Sequence, residues 1–358
     1  MKKKCVKLIV FLMVFSQFLN IQGRIKKETL ELKELVLIDS KYLYKIPSGL
    51  RVKGNILYVL DNVRSVLYSY TINRDTLKYN ISIGKFGQGP GDLISPFLIF
   101  FSDKQIVIQD SNAISFFSYS GAFQSKFRIF GMIHDMTLNK NMIYTLNPDF
   151  KSQKLIHRFG KDGKKINSFG SFFVKIKKDN RKNTFWIYKG FLRNDGNDLL
   201  YFSKLYGQVI RFNSKGEKKG EKSYLQFIGS NRKRLLNINK ELLETGTEKK
   251  KSRSFFTGLN ILGNIVVGEK NIYLLSLEEY YPNDYLINRK KYVPPLKETL
   301  IIKVIDKEKW KLVKEYKVQA DKFYYSTFDV QEIKGKAKFF FCFSNINGNS
   351  YGYAGETD

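Results

Sequence analysis

Two histidines, two cysteines and 33 acidic side chains are what the 358-residue chain offers for proton transfer, nucleophilic attack or metal binding. His134 stands beside Asp135, the residue types that an acid–base couple or a pair of metal ligands requires. A metal centre needs three or more ligands, and no third lies at a suitable spacing. His157 falls in the alternating run Leu155–Phe159 and is expected on the surface of an outer strand. Cys342, within Phe339-Phe340-Phe341-Cys342-Phe343, reads as a small buried apolar residue. Cys5 precedes an apolar leader, so an exported chain would hold no internal disulfide. Neither a nucleophile elbow nor a zinc-type cysteine spacing occurs. The sequence therefore predicts no catalytic residue, no metal and no cofactor.

What would position side chains for any function is a repeated pattern of short strands. Strongly apolar runs, most of them closed by a polar residue, recur at Ile56–Asp61, Gln105–Asp110, Met142–Asn147, Leu199–Ser203, Ile272–Ser276 and Phe339–Ser344. Alternating runs follow most of them, at Ser65–Tyr70, Ala113–Ser118, Lys154–Phe159, Gln208–Phe212 and Thr299–Val304. Several end in Ser-Gly, Asp-Gly or Ser-Lys-Gly steps, which signal hairpins. With 30 Phe, 22 Tyr and 26 Gly, the composition favours strands and turns over helices. The pattern predicts an all-β fold, a six-bladed β-propeller of four-stranded antiparallel blades. Uneven spacing calls for insertions. Leu235, Leu236, Ile238, Leu242 and Leu243 follow helical spacing, which predicts a short helical insertion between blades four and five. Glu278–Lys297, rich in Tyr and Pro, is expected to be a loop. The sixth unit is short at its C-terminus, and Thr29–Leu37 alternates well. This N-terminal strand is therefore expected to complete the last blade, which would remove exposed edges. The first strand of each blade lines the channel of a propeller. Arg51, His134, Asp135, Arg193 and Gln331 fall on or beside those strands and are the candidates for binding at the channel mouth. Arg51, Arg193 and His134 together would attract an anion, since guanidinium groups fork carboxylate and phosphate well.

One segment carries a family likeness. Gly84-Lys85-Phe86-Gly87-Gln88-Gly89-Pro90-Gly91-Asp92-Leu93, followed by Pro96, resembles the linker of bacterial six-bladed propellers of the NHL-repeat or TolB-like kind. In that kind a Gly-rich loop joins the outer strand of one blade to the innermost strand of the next. Gly84, Gly87, Gly89 and Gly91 permit positive φ, and Pro90 stiffens the crossing. The family usually has Glu where Asp92 stands, and this chain has one full copy, so the resemblance covers residues 46–130 closely and the remainder by pattern. A phosphate-binding loop is excluded by the missing Gly-Lys-Ser/Thr ending and by the absence of a helical pattern after it.

Lys2, Lys3, Lys4 and Lys7 precede a mostly apolar stretch, Leu8–Ile21. This is the pattern of a secretory signal over residues 1–23, or of an uncleaved anchor, ahead of a single domain over 24–358. The formal charge is +29, and +25 remains once the four lysines of the leader are taken from it. Charge of this sign favours anionic neighbours. Thirteen of the 62 basic residues are Arg, so compositional bias toward lysine is a competing explanation. Export argues against nucleic acid as a partner. The expected function is an exported, non-enzymatic binding or scaffold propeller of the periplasm or cell envelope, monomeric, with an unknown protein or an anionic envelope component as partner. A hydrolase or lyase using the channel, and a charge-driven binder of anionic polymer or a peripheral lipid surface, are the alternatives.

Overall fold

Alternating and continuous apolar runs, each closed by a turn residue, give strands and almost no helix among the described residues. The structure, a computed structural model, describes residues 25–37, 47–111, 113–129, 131–173, 187–229, 232, 262–280, 297–319, 324–333, 336–345 and 348–355. Apart from Arg232, the segment expected to form a helical insertion, 231–254, lies outside the described residues, as do the leader and positions 281–296 of the expected loop.

An N-terminal arm supplies β1 (Lys26–Glu31) and β2 (Lys33–Leu37). The next strands are β3 (Pro47–Lys53), β4 (Ile56–Asp61), β5 (Val66–Asn73) and β6 (Thr76–Ile83), then β7 (Pro96–Phe101), β8 (Gln105–Asp110), β9 (Ala113–Ser118) and β10 (Phe123–Arg128). They are followed by β11 (Asp135–Asn139), β12 (Met142–Asp149), β13 (Lys154–Phe159) and β14 (Lys165–Ser171), and by β15 (Gly190–Asp195), β16 (Asp198–Ser203), β17 (Gln208–Phe212) and β18 (Lys218–Ser223). A 3₁₀ turn at Leu225–Phe227 precedes β19 (Leu262–Val267), β20 (Asn271–Tyr280), β21 (Lys297–Asp306) and β22 (Lys311–Gln319). The chain continues through β23 (Tyr324–Ile333), β24 (Lys336–Asn345) and β25 (Gly348–Gly355). Glu278, expected in a loop, pairs instead with Thr299 at the extended end of β20.

Strands β7–β10, β11–β14 and β15–β18 form three four-stranded antiparallel sheets. A five-stranded sheet has the order β1-β22-β21-β20-β19, and an eight-stranded one β23-β24-β25-β2-β6-β5-β4-β3. Among the described residues the hydrogen-bonded sheets thus number five, where six separate blades were expected. The difference is the work of β2. It pairs antiparallel with β25 through Lys33–Leu35 and parallel with β6 through Val36 and Leu37, and so joins two four-stranded halves into one. The expected closing strand is present over Lys33–Leu35, while the residues upstream of Leu32 pair parallel with β22. The first strands β3, β7, β11, β15, β19 and β23 pack side by side, and β23 packs back against β3 to close a ring.

The cores lie between neighbouring sheets, which is why the second strand of each unit is apolar on both faces. In β4, Leu57 and Val59 face Phe340 and Cys342 of β24, while Tyr58 and Leu60 face Ile106 and Ile108 of β8. In β24, Phe339 and Phe341 point the other way, onto Tyr273, Leu275 and Tyr316. Cys342 is fully buried, as its apolar run predicted. Each such Phe contributes about 1.5–3 kcal/mol by leaving water. The polar residues that end these strands tie down loops. Asp110 Oδ1 accepts from the backbone N–H groups of Ile94 (2.9 Å) and Ser95 (2.7 Å), which deliver the chain into β7.

The hairpin between the third and fourth strands of one unit packs on the outer strand of the unit before it. Gly163 has φ +78°, and a Cβ there would stand 2.5 Å from Cγ of Phe127 on β10. Gly216 has φ +88° and meets Phe169 on β14 in the same way, at 2.5 Å. Any side chain at these sites meets both left-handed backbone strain and overlap with a ring. Gly163→Val should cost about 2–4 kcal/mol, read as a lower denaturant midpoint with an unchanged slope. A variant with the parental midpoint would show that this hairpin does not lock the sheets together.

Candidate channel-mouth binding site

A belt of polar side chains runs around the ring of first strands. Asp135, at the start of β11 and buried, accepts from the next backbone N–H, Met136, with Oδ1 (3.0 Å). Its Oδ2 accepts from the N–H of Leu192 on β15 (2.8 Å) and from Arg193 Nη1 (2.7 Å). Arg193 also donates to its own neighbour's carbonyl, Leu192 O (2.6 Å), and to β19, through Nε to Ile265 O (2.6 Å) and Nη2 to Asn264 Oδ1 (2.9 Å). Asn264 Nδ2 donates onward to Phe328 O on β23 (2.8 Å). The next residue, Asp329, accepts from Val52 N–H on β3 with Oδ2 (2.9 Å) and from Arg51 Nη1 with Oδ1 (3.4 Å). The Arg51 guanidinium then lies 5.8 Å from the ring centre of Phe100 on β7. The belt thus passes through β11, β15, β19, β23, β3 and β7 in turn.

Burial sets the electrostatics of the belt. Desolvation pushes the Asp329 carboxyl above its ordinary range, opposed by the Arg51 charge. It also lowers the affinity of Arg193 for its proton, opposed by Asp135. Charges desolvated in this way are tolerated because each has a counter-charge and a backbone partner.

Above the belt, at the end where the first strands begin, stand two lysines. Lys204 follows β16 and Lys189 precedes β15, and the Lys204 backbone N–H donates to Lys189 O (3.0 Å). Lys204 Nζ rests 4.5 Å from the centre of the Phe191 ring, and Arg193 Cζ lies 5.1 Å from the same ring. Lys204 is half-buried and makes no ion pair among the described residues. Burial, reinforced by the Lys189 charge, lowers the Lys204 amine to about 7, against the opposing pull of Asp135. Burial also lowers Lys189.

Of the residues singled out in the sequence, Arg51, Asp135 and Arg193 enter the belt. His134 is half-buried at the same end, its backbone N–H donating to Leu146 O (2.8 Å). Gln331 lies at the opposite end, where Nε2 donates to Gly54 O in the β3–β4 turn (3.1 Å). His157 corrects its expectation. It is buried in β13, between Ser168 Oγ and Asn147 O, each 2.7 Å from a ring nitrogen, and burial lowers its proton affinity. Asn264, Asp329, Phe191 and Lys204 were not singled out. A polar residue beside apolar neighbours within the first strand of a unit, as in Leu262-Gly263-Asn264-Ile265 and Phe328-Asp329-Val330, was the available signal for two of them.

The Gly-rich linker uses its own amides. Gly87 N–H donates to Leu93 O (3.1 Å), Leu93 N–H to Lys85 O (2.8 Å), and Gly89 N–H to Asp92 Oδ2 (2.9 Å). It borders a cleft of about 580 Å³ with Phe123, Phe127 and Arg128 of β10, where Lys126 Nζ donates to Asp92 O (3.0 Å) and Asp110 Oδ2 (3.3 Å). These bonds close the loop that leads from β6 to β7 on itself. Among the described residues no three His, Cys, Asp or Glu side chains form a metal-binding group, and no helix is long and apolar enough to cross a membrane.

No family profile matches the chain, and no curated protein resembles it in sequence. Solved structures do resemble it in shape. A protein of Bacteroides fragilis NCTC 9343 described as a "Putative exported protein" superposes with a TM-score of 0.59 at 14% identity, over 93% of this chain and 99% of the other. A member of the duf4221 family from Bacteroides vulgatus gives 0.53 at 12% identity, over 92% and 99%. The Neurospora crassa Pan2 WD40 domain gives 0.50 at 11%, over 92% and 98%. The fold is a β-propeller. Its blades are four-stranded and antiparallel, and the polar belt lines the first strands around the propeller's axis.

Proposed function

We propose that the protein is an exported, non-enzymatic binding propeller of six blades, which presents the lysine-bearing mouth of its channel to an anionic component of the cell envelope. The six-blade count takes the eight-stranded sheet as two blades sharing β2, and is supported by the ring of first strands from β3 to β23. The NHL-like linker supports a bacterial propeller of that kind. Export is supported by the lysine-then-apolar leader, and by the description of one structural neighbour.

One observation carries the binding reading. Inside the belt each carboxylate is engaged by an arginine and by backbone N–H, whereas Lys204 at the mouth meets no carboxylate among the described residues. The inner charges brace the strands, and the outer one is left for a ligand. A channel hydrolase would need a carboxylate free to move a proton, and neither Asp135 nor Asp329 is in that position.

The experiment is retention of the purified protein on polygalacturonate and on vesicles containing phosphatidylglycerol, across a salt series. Binding should weaken steeply as salt rises, because surface attraction is screened beyond ~8 Å at physiological ionic strength. Lys204→Gln should weaken binding to polygalacturonate at least five-fold. Replacing Lys218, Lys219 and Lys222 together by Gln, on the exposed strand β18, should weaken it less. If the β18 triple variant loses more than the mouth variant, diffuse surface charge carries the binding and the channel-mouth reading fails.

A further inference from the structure

We infer that Lys204, flanked by Lys189 and Arg193, forms a site for a single oxyanion, a carboxylate or a phosphate group. The inference rests on the channel-mouth reading and narrows it to one group and one side chain. Arg193 and Asp135 act on Lys204 from this corner of the channel, and once the Arg193–Asp135 pair is made Lys204 is left without a carboxylate partner among the described residues. The Lys204 ammonium has given up much of its water, and the face of the Phe191 ring at 4.5 Å is a partial replacement. The same ring carries Arg193 at 5.1 Å, which holds two like charges near one another. An oxyanion between them would relieve that repulsion and supply the hydrogen-bond acceptors that the ammonium lacks. The side chain is half-buried, so a small group can reach it from the channel mouth while a large one cannot surround it.

The site has a proton-linked signature that a structural lysine would not show. With the amine held at about 7, the empty site is half-charged near neutral pH. The groups that act on it are Lys189 and Arg193, which favour the neutral amine, and Asp135, which favours the ammonium. A bound oxyanion adds to the effect of Asp135, so it binds the protonated form and raises the proton affinity of the amine. Affinity for an anion that stays ionised throughout should therefore be level below pH 7. It should fall about tenfold for each pH unit above 7, until the bound-state value is reached. Above pH 7 binding should take up close to one proton.

The test uses the full chain and two probes, galacturonate for carboxylate and inorganic phosphate for phosphate. Calorimetry at pH 8 in two buffers of different ionisation enthalpy reads proton uptake. Mass spectrometry reads acetylation of Lys204 by an activated acetate ester as a function of pH, with and without each probe. Acetylation of the free protein should have its midpoint near pH 7, and the preferred probe should slow it at least five-fold. Tighter binding of one probe identifies the source of the oxyanion. Lys204→Met should lose binding and proton uptake together. Lys204→Arg should keep binding and lose the uptake, because guanidinium stays charged. If neither probe slows acetylation, or if Lys204→Met binds with undiminished uptake, the inference is overturned. In the first case, a polygalacturonate interaction that still depends on Lys204 would leave the broader channel-mouth reading standing.

Discussion

Removal of residues 24–37 should leave the protein unable to accumulate in soluble form. The arm is not an ornament on a finished fold. Its β1 pairs parallel with β22 from Lys26↔Lys314 to Glu31↔Gln319, and its β2 is the strand between β25 and β6. Without them the outer edges of β22, β25 and β6 present unpaired N–H and C=O groups to solvent and to other chains. Leu30, 5% exposed, would leave the cluster formed by Leu300, Ile302, Val318, Phe339 and Phe341. The arm is also held by charge, since Glu28 Oε2 lies 3.0 Å from Lys314 Nζ, and Lys26 and Lys314 together hold the Glu28 carboxyl below its usual range. A milder probe separates edge pairing from core loss. Leu30→Ala keeps the strand and should cost about 2–4 kcal/mol, the range for a buried leucine. Glu28→Gln, at a partly exposed pair, should cost under about 1 kcal/mol. Thermal melts of the three variants are the measurement. A deletion variant that is soluble and melts like the parent would show that the ring closes without the arm.

The arm also shows where the sequence stops being legible. Alternation over Thr29–Leu37 identifies a strand, and the shortness of the sixth unit says that a strand is needed there. Neither tells which edge each half will meet, because alternation is indifferent to the neighbour and survives the step at Leu32 that moves the chain from β22 to β25. The second strands were legible for the opposite reason. Sandwiched between two neighbours, they are apolar on both faces, so runs such as Ile56–Asp61 and Phe339–Ser344 stand out whatever their register. His157 was misread because a third strand was taken to have a wet face, and in β13 that face is covered by Ser168 and the Asn147 carbonyl. In the site, Arg51, Asp135 and Arg193 were legible as polar residues at comparable places in successive first strands. Asn264 and Asp329 follow the same rule, but their strand phase is fixed only by the neighbours they bond. Lys204 carries no mark at all in a chain so rich in lysine; only its position over Phe191 distinguishes it.

The two ion pairs of the belt look alike in sequence, yet their removal should have unequal consequences. Arg193→Met should be the more damaging single change, at about 3–5 kcal/mol, the range for stranding one member of a buried pair. It leaves the Asp135 carboxylate nearly inaccessible, its Oδ2 facing the Leu192 amide alone, and it takes the guanidinium donors from Ile265 O and from Asn264 Oδ1, which keeps only the Ile265 N–H. Asp135→Asn in the same background should restore about half of that loss, because an amide can still accept from Leu192 N–H without carrying a charge. Asp329→Asn alone should be far better tolerated, under about 1.5 kcal/mol. Its Arg51 contact is long at 3.4 Å, the arginine retains the Phe100 ring, and the bond to Val52 N–H at 2.9 Å needs only an acceptor. The sign of the pH dependence supports the contrast. With the Asp329 carboxyl raised in the folded state, the native protein binds more protons than the unfolded chain between the two values. The stability due to this group is therefore full below the unfolded value and falls as pH rises toward the folded one. Asp329→Asn should remove that decline, so the variant should gain on the parent as pH rises through the mildly acidic range. Denaturant unfolding of the four proteins at two pH values decides it. Equal losses at Arg193 and Asp329 would mean that the belt acts as one uniform ring of charge, instead of a tight Arg193–Asp135–Asn264 clamp continued by a looser Arg51–Asp329 contact.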